Sequence, residues 1–549
     1  MKEGMKVPMK RIAAAFAALA CAVVVALSLS GCGGQSASSG AKSVSGSDHE
    51  VIVSMTTTSE PTYGFDPLYS WGCGEHVHEP LIQSTLITTD ADLNFVNDLA
   101  TDYYSSEDGL TWTFKIRDDV KFTDGEPLTA SDVAFTINGI KNNEAAEADL
   151  SMVESAEAVD DTTAVIHLNK PFNALLYTLA VVGIVPEHAY DSATYGANPI
   201  GSGRYMLDQW DKGEQVILKA NPDYYGEAPN MERVVVVFMD EDASLAAANS
   251  QQVDVAYTAA TIADKADPEG YNLLACKSVD SRGISLPCIP AGDERQDGEA
   301  TYPAGNNVTC DIALRRAINY GVDRQRMIDN VLASYGTPAY SVSDGMPWYN
   351  DAMKVEYDPE KAKSTLEEAG WKLGEDGIYV KDGVRASFPL NYGSSDSVRQ
   401  ALSVEFANQM KEIGIEVNVK GGSWDEIYPL EYSEPVLWGW GANTPTQLYD
   451  LTYSSGWGNF ACYDNEAVDE HLNAALAAPT VQDSYEDWKL AQWDGSQGVN
   501  VQGGASWVWL ANIDHLYFQR DGLEIAKQKP HPHGHGWSLV NNVNEWKWK

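Results

Sequence analysis

Apolar and polar residues alternate over residues 112–117, where Trp112, Phe114 and Ile116 are interleaved with Thr113, Lys115 and Arg117. A period of two predicts a half-buried strand. Asp124-Gly125 follows as a turn, because glycine reaches positive φ without steric cost. Thr129 and Asp132 have the spacing of a capping box, with Val133, Phe135, Ile137 and Ile140 beyond them, so a helix is predicted from Ala130. Val51-Ile52-Val53 opens the fold as a short strand, and a loop over 73–79 leads into a short helix at Pro80-Leu81-Ile82. Val165, His167 and Asn169 share one face of a strand. Tyr205 and Leu207 begin another, 216–219 forms a third after the Lys212-Gly213 turn, and the β-branched run at 234–238 predicts a strand buried on both faces.

The later half carries longer helical patterns. Residues 311–332 read as a helix with Asp311 as its cap, and Asp358-Pro359 starts another that ends at Gly370. Asp376-Gly377 and Asp382-Gly383 are hairpin turns. A helix over 398–412 stops at Gly414, and Ile415, Val417 and Val419 then alternate as a strand. The polar segment 291–309 reads as an inserted loop. Strands and helices mixed in this way give an α/β chain.

Composition adds location and partner class. The chain has 549 residues, 44% hydrophobic and 21% charged, enough for several domains around a large core. Its net charge of −42 repels phosphate backbones, which excludes nucleic acid as a partner, and attracts cations, including basic peptides. The positive charge at the start (Lys2, Lys6, Lys10, Arg11) precedes an apolar run over 12–29, which reads as a secretion signal. Leu29-Ser30-Gly31-Cys32 then looks like a bacterial lipobox, making Cys32 the lipidated first residue of the mature chain, followed by a Gly/Ser tether. No later run is long and apolar enough to span a bilayer. With Cys21 removed and Cys32 lipidated, Cys73, Cys276, Cys288, Cys310 and Cys462 remain, an odd number; Cys288 and Cys310 bracket a polar loop and are the expected disulfide.

Enzyme motifs are missing. There is no phosphate-binding G-x-x-x-x-G-K-[ST] loop and no G-x-S-x-G nucleophile elbow, and His78-Glu79 is followed by Pro80 without the second histidine of a zincin. The chain is read as a binding protein, with an extracellular hydrolase as the least favoured alternative. Two clusters could bind ligand. His531, His533 and His535 alternate in PHPHGHGW, and His76 and His78 alternate beside Cys73; imidazole and thiolate suit nickel, copper or zinc. The segment LWGWGANTPTQLY, residues 437–449, is rich in aromatic residues that either pack in a core or stack on a ligand.

The strand–turn–helix unit at 112–139 closely resembles the signature of the family 5 solute-binding proteins of ABC importers, the peptide- and nickel-binding group. PIGSGRYMLDQWDKGEQVILKANPDYY at 199–225, Val185-Pro186-Glu187-His188 and the 311–332 helix resemble it too, so the likeness covers nearly the whole mature chain. The resemblance implies a type II periplasmic-binding fold with two lobes joined by a hinge and an extra subdomain. By that analogy 1–31 is the lipoprotein signal peptide and 32–48 the tether. Lobe I holds 48–90, 196–287 and 507–549, with the subdomain at 91–195, and lobe II holds 288–506. The hinge would lie near Ser285 and Val508.

The implied function is a monomeric lipid-anchored receptor on the outer face of the cell membrane. It captures a peptide-like solute by hinge closure and passes it to a permease driven by an ATPase, with no cofactor. The alternative is nickel or a metal chelate as cargo. Trp438, Trp440 and Asn443 are the expected cleft wall, with Tyr392 and Trp424 beside them. Peptide-binding members usually carry Asp where Asn443 stands, to pair with the ligand's α-amino group; Asn accepts a hydrogen bond but does not neutralise an ammonium. The arginine that dipeptide binders carry near the turn matching Asn391-Tyr392-Gly393 is missing, Arg399 being nearest, although backbone hydrogen bonds alone can hold longer peptides.

Overall fold

The structure is a computed structural model that describes residues 44, 46–73, 76–297, 300–534 and 536–549. The run Arg233–Phe238 does form a strand buried between two neighbours, pairing in parallel with Glu50–Met55 and antiparallel with Gln215–Ala220. These belong to a seven-stranded sheet, in the order Tyr205–Asp211, Gln215–Ala220, Arg233–Phe238, Glu50–Met55, Val255–Thr258, His515–Arg520 and Tyr271–Cys276. The strand His515–Arg520 lies between two strands from the first half of the chain. The tail beyond it buries Trp537 and Trp546 completely, with Trp537 edge-on to Trp71 at 5.3 Å and to Phe65 at 6.2 Å. The C-terminus is therefore part of the first lobe's core.

The signature segment forms a strand, Thr111–Ile116, in a four-stranded antiparallel sheet with Ala100–Ser105, Thr163–Leu168 and Val153–Asp160. Helix Ala130–Lys141 packs on that sheet, burying Val133, Ile137 and Ile140. Its start is fixed by the capping box: Asp132 accepts from the Thr129 N–H at 2.8 Å, and the Thr129 side chain accepts from the backbone of Asp132. Asp132 also accepts from the Glu187 N–H at 2.9 Å, so one buried carboxylate fixes both the helix start and the returning chain.

Two antiparallel strands, Ser281–Ser285 and Trp507–Ile513, carry the chain between the lobes. They form the centre of a sheet edged by Gly336–Pro338 and Leu437–Trp440. Beyond them lies the second lobe, with the parallel pair Ser387–Gly393 and Glu416–Gly422 and helix Ser397–Glu412 packed on both.

Several elements differ from the sequence pattern. The segment 311–332 is two helices, Ile312–Gly321 and Arg324–Val331; Val322 is extended, and Asp323 caps the second by accepting from the Arg326 N–H at 3.0 Å. The inserted loop is a hairpin of Asp293–Asp297 with Ala300–Ala304. The loop at 73–79 contains a hairpin of Ser70–Cys73 with His76–Val77, and 80–82 is not helical. Cys288 and Cys310 are free thiols, not a disulfide. Hydrogen bonds already join the two ends of that loop: Thr309 Oγ1 donates to the Pro287 carbonyl at 2.7 Å, while the Cys288 thiol donates to the Leu286 carbonyl at 3.3 Å. No described helix is long and apolar enough to cross a membrane.

Asp132→Ala removes the helix cap and leaves the Glu187 N–H without its acceptor. The expected loss of stability is about 2 kcal/mol, read from denaturant or thermal unfolding. A variant as stable as the parent would show that this carboxylate does not organise the segment.

Candidate functional site

Between the lobes lies a cavity of about 1110 Å³. The first lobe contributes His78, Lys529 and His533, the extra subdomain contributes 140–152 and Tyr177, and the second lobe contributes Trp440, Asn443 and the helix Thr446–Thr452. The lobes are closed on each other. Asn173 of the subdomain donates through Nδ2 to the carbonyls of Ala475 at 2.8 Å and Ala478 at 3.0 Å, and through its backbone N–H to Leu476 at 3.1 Å. Tyr177 meets Trp348 edge-on at 6.0 Å, and one hydrophobic cluster runs from the subdomain helix into the second lobe.

Of the aromatic segment, Trp440 and Asn443 line this cavity. Trp438 lies behind it. Its Nε1 donates to Ser285 Oγ at 3.1 Å, and its ring stacks on Phe460 at 4.3 Å and on Trp424 at 5.6 Å. Trp424 in turn carries the Arg399 guanidinium over its face at 5.2 Å. Tyr392 is buried in a separate cluster of the second lobe. Trp438 and Trp424 thus brace the cavity wall from outside, because the strand Leu437–Trp440 is buried at every position, while Tyr392 lies apart from it.

The histidines divide differently from their sequence spacing. His78 and His533 both line the cavity, and His78 lies against the tail, since a Cβ at Gly534 would fall 2.4 Å from its Cε1. His533 Nδ1 is 2.7 Å from Asp280 Oδ1, and His515 Nε2 is 3.0 Å from Asp280 Oδ2. His531 is fully buried, its Nδ1 3.1 Å from His515 Nδ1 and its Nε2 3.2 Å from Gln528 Oε1. Among the described residues no group of three or more His, Cys, Asp or Glu side chains could hold a metal ion. Cys32 and His535 lie outside the described residues, as do the side chains of Cys73 and His76.

Asp280 stands directly before the crossing strand, and Arg282 on that strand pairs with it. Burial alone would push the Asp280 carboxyl up, but Arg282, His533 and His515 hold it well below the usual carboxylate range. Burial, then His515, holds the His531 imidazole well below its ordinary value, so it stays neutral. Burial, then Arg282, pulls the Arg399 guanidinium down to about 10. These groups crowd onto Gly439, where a Cβ would lie 2.6 Å from Arg399 Nη2, 2.6 Å from His533 Cε1 and 2.7 Å from Arg282 Nη1. Only glycine fits there without displacing charged groups.

Sequence reasoning missed the charged network and most of the second-lobe wall. The opposite charges of Asp280 and Arg282, two residues apart at the head of the strand Ser281–Ser285, were a usable signal for the first. Gln447, inside the aromatic segment, and Asp450, just past it, carried none.

A model of the bacterial extracellular solute-binding proteins, family 5 (middle region), matches residues 94–461. Protein XP55 of Streptomyces lividans is 33% identical over 524 residues, covering 91% of this chain and 90% of that protein. The oligopeptide-binding protein AppA of Bacillus subtilis is 30% identical over 500 residues, covering 85% and 88%. Among solved structures, NikZ from Campylobacter jejuni in complex with Ni(L-His) superposes with a TM-score of 0.76 at 26% identity, covering 91% of this chain and all of that one (100%).

Asn173→Ala removes two side-chain bonds across the cleft, so about 1–2 kcal/mol should be lost from the closed form alone. With peptide present, the radius of gyration by small-angle scattering should be larger than that of the peptide-bound parent while the unfolding midpoint changes little; an unchanged radius would show that these bonds do not hold the cleft shut. His531 gives a pH signature. Its folded-state value lies below the unfolded one, so its stabilisation is complete above about pH 6.5 and is lost as pH falls below that. The stability difference between the parent and His531→Gln should therefore shrink on acidification; a difference independent of pH would contradict the buried neutral imidazole.

Proposed function

The chain belongs to the bacterial extracellular solute-binding proteins of family 5, with their two-lobed type II fold, and from that premise we propose that it is the cargo receptor of an ABC importer for peptides or peptide-like solutes. The observation that carries this reading is the cavity of about 1110 Å³ walled by both lobes. It exceeds the roughly 300–1,000 Å³ of ordinary small-molecule pockets, which suits an oligomeric cargo better than a lone ion. AppA of Bacillus subtilis, named as oligopeptide-binding, is similar over most of the chain.

The mechanism is hinge closure about the strands Ser281–Ser285 and Trp507–Ile513. Cargo that touches Trp440 on one wall and Tyr177 on the other makes both contacts only when the lobes are shut. That differential contact shifts the population to the closed form, which the permease then reads. The cargo is released unchanged. An anchor at Cys32, supported by the basic and apolar residues before it, would keep the receptor at the outer face of the membrane.

A metal chelate is the second reading, favoured by His78 and His533 on the cavity wall and by the likeness to NikZ. Native mass spectrometry of the protein as purified, followed by calorimetric titration with a peptide mixture and with nickel plus histidine, separates the two. Co-purifying peptides and micromolar or tighter peptide binding are expected. Binding of nickel–histidine alone, with no peptide bound, would replace the first reading with the second.

A further inference from the structure

On the second lobe, the helix Thr446–Thr452 and the residues just before it set hydrogen-bond acceptors along the cavity wall. Gln447 is only 9% exposed, lines the cavity, and its Oε1 meets no donor among the described residues. Asp450 follows three residues later on the same helical face and lines the same cavity. Asn443, just before the helix, donates through Nδ2 to the Pro530 carbonyl at 3.1 Å; that bond fixes the amide and leaves Oδ1 buried without a partner. No lysine or arginine pairs with Asp450 among the described residues, and its hydrogen bond comes from Trp457. Burial, and then Asp149 from the opposing wall, push the Asp450 carboxyl up to about 7. The positive groups that share the cavity are committed or distant in the fold: Lys529 is bonded to Glu79 and to the Thr89 carbonyl, and Lys141 lies on the subdomain wall beside Glu144 and Glu147.

A half-buried carboxyl pushed up to about 7, beside two amide oxygens without donors, is held ionised and fully hydrogen-bonded only when a ligand supplies both charge and N–H groups. We propose that Asp450, Gln447 and Asn443, with Asp149 opposite, form a subsite for a cationic donor group of the cargo, an ammonium or a guanidinium. Such a group places charge-assisted hydrogen bonds on all three acceptors. Asp450 thereby supplies, seven residues further along, the negative charge that Asn443 lacks. The inference rests on the peptide reading above and names the chemistry the cargo must carry, which is met either by a peptide's α-amino group or by a lysine or arginine side chain.

Calorimetry with alanine-based peptides of matched length tests it. One series has a free amino terminus, one is N-acetylated with a single Lys, and one is N-acetylated with Gln in its place. The wild type should prefer a cationic series to the acetylated Gln series by about tenfold or more. Asp450→Asn should erase that preference while changing affinity for the acetylated Gln series by less than about twofold. Its melting temperature at about pH 8 should equal or exceed the wild type's, because an uncompensated half-buried charge is gone; lost binding is then not lost folding. Cationic affinity of the wild type should rise about tenfold from about pH 6 to about pH 8, as Asp450 ionises against Asp149, Glu144 and Glu147, and should be flat in Asp450→Asn. Which cationic series binds identifies the source of the charge. Equal binding of cationic and acetylated Gln peptides, with Asp450→Asn indistinguishable from wild type, overturns the subsite and leaves the peptide reading standing. Failure of every series to bind overturns both.

Discussion

Asp280 stands one residue before the strand that carries the chain from one lobe to the other, 2% exposed and ringed by Arg282, His515 and His533. A carboxylate so far from water costs several kcal/mol unless it is paired and fully hydrogen-bonded. Its partners come from two distant places, the crossing strand itself and the returning tail, so satisfying one charge requires both to be present at once. The tail is then fixed beside the hinge: His531 donates its N–H to the Lys277 carbonyl, and the Val279 N–H donates to the His531 carbonyl. Arg399 reaches the same place from the second lobe and bonds the Leu437 carbonyl at 2.8 Å. Gly439 lets all of these groups close in. A rigid pivot built this way leaves the outer parts of the lobes as the parts that move.

Closure itself is cheap to reverse. Polar ties between the lobes include Asn173 with the end of helix Glu466–Ala477, helped by the Tyr177–Trp348 contact, and Ser397 of the second lobe with Thr261 and Glu241 of the first. A cavity of about 1110 Å³ between these contacts gains nothing from being shut while it holds only water. Cargo changes that balance by touching both walls, and a differential affinity of about 5.5 kcal/mol moves a two-state equilibrium from mostly open to mostly closed. In the proposed function, the acceptor row on the second-lobe wall makes the gain depend on charge as well as on fit and so couples what is bound to how firmly the lobes shut.

Much of the architecture was legible in the sequence because it rests on local rules. The alternation of Trp112, Phe114 and Ile116, the box of Thr129 and Asp132, and the valine run before Phe238 each specify an element by period or cap alone. The hairpin Asp293–Asp297 with Ala300–Ala304 was not legible, since its first strand is an unbroken polar run and only Ala300, Tyr302 and Ala304 of the second mark an apolar face, and the break at Val322 was hidden inside an unbroken helical pattern. The cleft was read only in part. Trp440 and Asn443 line the cavity between the lobes, and Trp438 and Trp424 differ from them only in which way a buried strand and a short helix turn their side chains. The spacing of His531 and His533 suggested shared ligation; their partners, His515 and Asp280, are set by tertiary approach over long sequence separations, which no local pattern reports. The disulfide failed for a similar reason, as backbone and hydroxyl hydrogen bonds already close that loop.

The proposed function turns on movement of one lobe against the other. Val159 on the extra subdomain and Leu373 on the second lobe are both exposed and can carry spin labels without disturbing a core. Pulsed electron–electron distance measurement on the pair Val159→Cys and Leu373→Cys, without and with a bound peptide, reads the motion directly. A broad distribution that narrows onto a shorter distance when peptide is added is the predicted result. A single distance, the same in both conditions, would contradict it.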